Sequence, residues 1–222
     1  MILAIETATT ACAIGLADGD RVVEALLAED RRHVEVLTPG IGALLARAGA
    51  DASALTRIVV DRGPGLYTGL RVGVATAIAL ADATGAELVA VTSLEVYAAA
   101  AAARGVCGAL VAVVDGRRGE VFAQRFALDD EVVALDAPRV LRPRDLAIAW
   151  ATDGTPVTFV GDGVVRYASD LGAVPNATGL ALAWPPPASA LARAAGRASG
   201  PVHPLYLREA DAVANFTTRD RP

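Results

Sequence analysis

One order of elements occurs twice in this chain, and no other feature restricts the fold as much. An apolar run over residues 2–5 ends in Glu6, a Thr-Ala-Thr-Thr turn follows, a second run covers 11–17, and an Asp-Gly-Asp turn leads to a third over 21–28. Short apolar segments separated by turn residues read as three strands in two hairpins. The same order returns later. A run over 109–114 closes on Asp115, a Gly-Arg-Arg-Gly turn leads to an alternating run over 121–126, and Asp129-Asp130 precedes a third run near 132–135.

Helical periodicity follows each triplet. Val34, Leu37, Ile41, Leu44 and Ala48 step by three and four across 33–49, with Gly49 as the stop signal and Pro39 either kinking the helix or marking its first turn. A strand over 58–60, a Gly63-Pro64-Gly65 loop, a helix over 68–84 closed by Gly85, a strand over 88–91 and a helix over 93–103 with Ser93 as N-cap complete the first half. The second half continues with a helix over 144–151, a strand over 157–160, the Gly161-Asp162-Gly163 turn, a helix over 164–170, a Pro-rich crossing at 185–187 and a final Ala-rich helix ending near 198. The expectation is an α/β protein of two subdomains with related βββαβα topology, residues 1–104 and 105–222. Because hairpins are common, a single mixed α/β domain accounts for the pattern equally well.

Composition removes several chemistries. All 20 basic side chains are arginine, so a lysine Schiff base, a lysine general base and a Walker lysine are excluded. Cys12 and Cys107 lie far apart and away from His33 and His203, so neither a disulfide framework nor a zinc site is supplied, and both are expected as reduced, buried thiols in a cytoplasmic protein. Met1 runs directly into an apolar strand, without the basic leader of a signal peptide, and the longest uncharged stretch, 171–192, carries prolines that exclude a spanning helix. The net charge of −5 opposes unaided binding to a phosphate backbone.

The sharpest local signal is the run from Asp61 to Gly73, between a strand and a helix. Gly63 and Gly65 let backbone N–H groups converge, Thr68 is placed to cap the helix, Gly69 follows, and a helix N-terminus favours an anion. A phosphate cradle and a tight turn that needs glycine both fit. Glu6 with Thr7, Thr9 and Thr10 fits either a phosphate or metal grip or a solvated turn. Asp115 holds the matching place in the second half, so the two acids are expected to face one cleft, with Asp162 approaching it. His33 and His203 read as a cap and a loop residue. The helix from Thr68 is apolar on every face between Arg71 and Asp82, so both sides need cover. That cover is either another part of this chain or the helices of a second chain, whose close approach Ala75 and Ala79 permit.

These residues carry a resemblance. The opening Ile2-Leu-Ala-Ile-Glu6-Thr-Ala-Thr9, Gly63 to Gly73, Val113-Val-Asp115-Gly-Arg-Arg-Gly-Glu120-Val-Phe122, Gly161-Asp162-Gly163 and Pro204-Leu-Tyr206-Leu-Arg208 resemble, in order, the TsaB family, also called YeaZ. The resemblance implies an actin/Hsp70/sugar-kinase-like fold. It implies a cytoplasmic, non-catalytic subunit that pairs with the paralogue TsaD and, with the ATPase TsaE, supports threonylcarbamoyl transfer to N6 of adenosine 37 in tRNA. It further implies contact with tRNA only through that complex, ATP used by the complex with no cofactor required by this chain, no metal site, and a homodimer when the chain is alone. The His-x-x-x-His metal pair of the catalytic relative is missing here. Glu6 stands where the family commonly has Asp, and Leu66-Tyr67 where it has Ser-Phe, so Glu6, Thr7, Gly63, Gly65, Thr68, Gly69 and Asp115 are expected as a weak or vestigial nucleotide loop. Val34, Leu37, Ile41, Leu70, Val74 and Ile78 are expected at the partner interface. A free-standing ATPase or kinase using the same cleft, and an inactive glycopeptidase-like homologue, are the alternatives.

Overall fold

The computed structural model describes residues 1–30, 32–150, 156–198, 200 and 202–208. Strands β1 (Ile2–Glu6), β2 (Cys12–Asp18) and β3 (Arg21–Ala28) form the two expected hairpins, followed by α1 (His33–Arg47), β4 (Arg57–Asp61), α2 (Tyr67–Thr84), β5 (Glu87–Val91) and α3 (Ser93–Ala102). The second half runs β6 (Gly108–Arg117), β7 (Glu120–Leu128), β8 (Val132–Ala134), β9 (Arg139–Leu141), α4 (Pro143–Trp150), β10 (Val157–Gly161), α5 (Asp162–Arg166), α6 (Ala168–Leu171), β11 (Ala177–Ala181) and α7 (Pro187–Ala194).

The first sheet has the order β3-β2-β1-β4-β5, and the second reads β8-β7-β6-β10-β11 in the same sense, with β9 added beside β7. Each begins as an antiparallel meander and continues with two parallel strands reached through helical crossovers. Strand for strand, the second half therefore repeats the first.

Alternation along the central strands explains the layering. Leu3 and Ile5 of β1 pack with Ile58, Val60, Leu37, Ile41 and Val74, beneath α1 and α2. Ala4 turns to the other face, where Val59, Val89 and Val91 meet Ala190 and Ala194 of α7. In the second sheet Leu110, Ala112, Phe122 and Phe126 face Leu94, Tyr97 and Ala101 of α3, while Val111, Val113 and Phe159 face Leu146 of α4, Val164 and Leu171. The halves thus exchange helices: α3 of the first half covers the second sheet, and α7 of the second half covers the first. Both strands of each central pair are buried on two faces, which is why they read as near-continuous apolar runs.

Several local expectations change. Thr92, not Ser93, caps α3, because Glu95 completes a capping box with it: Thr92 Oγ1 accepts from Glu95 N–H at 3.2 Å and Thr92 N–H donates to Glu95 Oε2 at 2.9 Å. Helix α2 starts at Tyr67 with Leu66 at the N-cap and no side-chain cap, so Thr68 sits inside the first turn, exposed. Pro39 lies inside α1 rather than at its start. The helix expected over 164–170 breaks at Tyr167 into α5 and α6. Cys107 is exposed in the loop before β6, whereas Cys12 is buried. No helix among the described residues is long and apolar enough to cross a membrane.

Candidate functional site

Strands β1 and β4 are parallel neighbours, so their C-terminal residues, Glu6 and Asp61, meet. Both are buried, at 1% and 0% exposure. Glu6 Oε1 accepts from Ala8 N–H at 2.8 Å, and Asp61 Oδ1 accepts from Gly63 N–H at 2.7 Å and from the Ser93 hydroxyl at 2.8 Å. Among the described residues Glu6 Oε2 and Asp61 Oδ2 have no other hydrogen-bond partner, and a proton shared between the two carboxyls would satisfy both. Burial, then the Asp61 charge and its hydrogen bond, push Glu6 well above the usual carboxylate range. Burial raises Asp61 as well, against the hydrogen bonds from Glu6, Gly63 and Ser93. Sequence reasoning expected Glu6 and Asp115 to face one cleft; the acid that Glu6 contacts directly is Asp61.

Asp115 lies near the C-terminal end of β6, just before its closing residue Arg117, and its polar contacts are to its own half. Its Oδ1 accepts from Arg117 N–H at 2.9 Å and from the Tyr167 hydroxyl at 3.1 Å, and its Oδ2 lies 3.1 Å from Arg117 Nη1 and 3.4 Å from Arg166 Nε. Asp162 does reach it, accepting from Asp115 N–H at 3.0 Å. Burial moves Asp162 up to about 6, the Asp115 charge adding to it against the Asp115 N–H and Arg117.

The glycines of the loop after β4 serve the chain's own backbone. A Cβ on Gly65 would stand 2.1 Å from the Ala8 carbonyl oxygen, and one on Gly69 2.1 Å from the Thr7 carbonyl oxygen. A Cβ on Gly73 would stand 2.1 Å from Thr7 Oγ1. The turn after β1 is therefore pressed into the first two turns of α2, which only residues without a side chain allow. Leu66 N–H donates to Ala8 O at 2.7 Å, so an N–H at the helix N-terminus is spent internally. Gly63 adopts φ 102°, reserved in practice for glycine. Thr7 and Thr9 are buried, at 0% and 3% exposure, rather than forming a solvated turn. His33 is buried, its Nε2 2.9 Å from the Ala11 carbonyl oxygen.

Of the six residues expected at a partner interface, Leu37, Ile41, Leu70 and Val74 are at most 4% exposed and belong to this chain's interior rather than its surface. The apolar stripe read from periodicity is the one the first sheet covers. Ile78 is half-buried, and Val34, at 72%, is exposed. The exposed positions include small residues, Thr38, Gly42 and Ala46 on α1 and Ala75 and Ala79 on α2, with Arg71 beside them. Sequence reasoning also left the late Tyr-Leu-Arg motif without a role. That segment is a strap. Leu205 N–H donates to Arg62 O at 2.7 Å, the Tyr206 hydroxyl accepts from Arg71 Nε at 3.0 Å, and Arg208 Nη1 reaches Glu120 Oε2 at 2.7 Å. The Tyr67 and Tyr206 ring centroids lie 5.0 Å apart, with the Arg71 guanidinium 4.0 Å from the Tyr67 centroid. The tail thus joins the N-terminus of α2 to the β6–β7 hairpin of the other half. Among the described residues no group of three or more His, Cys, Asp or Glu is placed to hold a metal.

Two repeats of one sheet order with exchanged helices, and an acid near the C-terminal end of each first strand, define the class: an actin/Hsp70/sugar-kinase-like α/β protein. The profile of the family described as "TsaD: tRNA N6-adenosine threonylcarbamoyltransferase" matches residues 27–160. The Bacillus subtilis tRNA threonylcarbamoyladenosine biosynthesis protein TsaB is 31% identical over 171 residues, 72% of this chain and 70% of that protein. The solved structure of YeaZ from Pseudomonas aeruginosa superposes with a TM-score of 0.77 at 29% identity, covering 87% of this chain and 89% of the other. The chain belongs to the TsaB family. A Mycobacterium leprae relative, ML0378, is 34% identical over 166 residues, and the chain spans 43% of its length.

Proposed function

We propose that this chain is a non-catalytic scaffold of tRNA threonylcarbamoyladenosine biosynthesis, the process for which its Bacillus subtilis relative is named. In this reading it docks on TsaD through the outward face of α1 and α2, supports TsaE binding, meets tRNA only within the complex and needs no cofactor of its own, the ATP being used by the complex. One observation carries it: the outward face pairs two adjacent helices lined by Thr38, Gly42, Ala46, Ala75 and Ala79, small side chains that let a second helix pair approach closely. The profile match over residues 27–160 includes both helices, so the transferase family carries an equivalent pair and the two can meet about a pseudo-two-fold axis. Two copies of this chain can meet the same way, as a homodimer in the partner's absence. The strand-end acids and the loop N–H groups, spent on internal partners, support a structural rather than a catalytic use of the cleft.

The test is a TsaD pull-down with Ala75→Arg and Ala79→Arg, which place charges on the exposed face. Both variants are expected to fold and to lose TsaD and self-association together. Unchanged binding by both refutes the docking face.

A further inference from the structure

We propose that a cavity of about 650 Å³ between the two halves binds a small organic acid that also carries an N–H or O–H donor. The volume lies within the range of small-molecule sites, roughly 300–1,000 Å³. The cavity is bounded by residues just after β4, by the N-terminus of α3, by β7, and by the segment that follows α7. Neither the outward helix face nor Glu6 or Asp115 lines it, so the inference stands apart from the scaffold reading.

Two unsatisfied groups define what it takes. Gln124, at 6% exposure, is fixed by the hydrogen bond from its Nε2 to the Asp136 carbonyl oxygen at 2.8 Å. That bond sets the amide orientation and leaves Oε1 buried, without a partner among the described residues. A buried, unpaired acceptor costs roughly 1–3 kcal/mol, which a ligand N–H or O–H would offset. The second group is Arg62. Its backbone is clamped on both sides, N–H to Val91 O at 3.0 Å and O from Leu205 N–H at 2.7 Å, while its guanidinium has no partner among the described residues.

Neighbouring charges do not neutralise Arg62. Glu95 also lines the cavity, but it is taken by Arg193 at 3.3 Å and by Arg197, and Arg197 Nη1 further donates to the Ala90 carbonyl oxygen at 3.1 Å. Burial raises Glu95, and Arg197, Thr92 N–H and Arg193 outweigh that, holding it ionised below its usual range. Among the described residues that line the cavity, Arg62 is thus the cation without a carboxylate partner, with planar geometry suited to two-point contact with a carboxylate or phosphate. Pro138, Val202, Leu205 and Leu207 supply an apolar wall for the ligand's carbon skeleton.

Calorimetry and 1H–15N spectra of the full chain test this with three probes: glycerol 3-phosphate, malate and sulfate, an anion without a donor. At least one of the two hydroxylated acids is expected to bind and to shift the Gln124 side-chain amide, and the stronger of the two identifies the head group. Arg62→Gln should weaken it by about tenfold or more. Gln124→Met should weaken the hydroxylated acids and leave sulfate unchanged. Should Gln124→Met fail to fold, Arg62→Gln, at a partly exposed position, carries the test by itself. Absence of binding by both acids up to about 10 mM, or binding that survives Arg62→Gln, overturns the proposal.

Discussion

Replacing Asp162 by Asn should stabilise this protein at neutral pH, although it deletes a charge from a row of interacting acids and arginines. Asp162 Oδ1 accepts from Asp115 N–H at 3.0 Å, and an Asn oxygen can accept the same bond. What Asn removes is the cost of ionising a mostly buried group beside the Asp115 charge. The carboxyl is raised from 3.8 to about 6, a difference that corresponds to roughly 3 kcal/mol. Asp162 keeps part of its surface in solvent, so screening makes that figure a ceiling. The sign follows from linkage. The native state binds the proton more tightly than the unfolded chain, so the stabilisation is complete below the ordinary value of 3.8 and is lost as pH rises through about 6. Urea unfolding of wild type and Asp162→Asn should therefore give similar stabilities near the acid end and diverge above it, with the variant ahead by about 1–3 kcal/mol at neutral pH. A variant less stable than wild type at neutral pH, or a difference that does not change with pH, refutes this account of the second half's acids.

Glu6→Gln should keep its donation to Asp61 and flatten the pH dependence, because the native Glu6 proton stabilises at acid pH and is lost as pH rises; chemical unfolding across the same range reads it. Gly69→Ala puts a methyl 2.1 Å from the Thr7 carbonyl oxygen, a backbone atom that cannot step aside, and a loss of about 1–3 kcal/mol or more is expected in thermal or urea unfolding. Val74→Arg and Ala79→Arg should separate cleanly in thermal unfolding. The first buries an unpaired charge at a position 3% exposed and should cost several kcal/mol, whereas the second, on the exposed face, should stay within about 0.5 kcal/mol.

The duplicated strand order was readable because each run is bounded by turn residues, and both sheets follow it. Residues 177–181 were not read as a strand, since Pro175 and Asn176 precede them and Gly179 interrupts them; parallel pairing with β10 makes that segment extended. Thr92 and Ser93 are equally plausible caps by residue type, and the Glu95 that completes a capping box with Thr92 is the signal that separates them. Ser93 is instead committed to Asp61. Periodicity located the apolar stripes of α1 and α2 but not what covers them, and the chain's own sheet does. Likewise each strand-end acid could be found, while its partner depends on which strands lie side by side. Exchange of α3 and α7 between the halves leaves no local trace, because either helix is apolar enough for either sheet.

Transfer of the threonylcarbamoyl group to tRNA by purified TsaD, with TsaE and ATP supplied throughout and this chain present or omitted, tests the scaffold reading most directly. Modification is expected only when TsaD and this chain are both present with TsaE and ATP, none from this chain without TsaD, and loss of the effect with Ala75→Arg. Full modification by TsaD without the chain, or threonylcarbamoyl transfer by the chain alone, would contradict it.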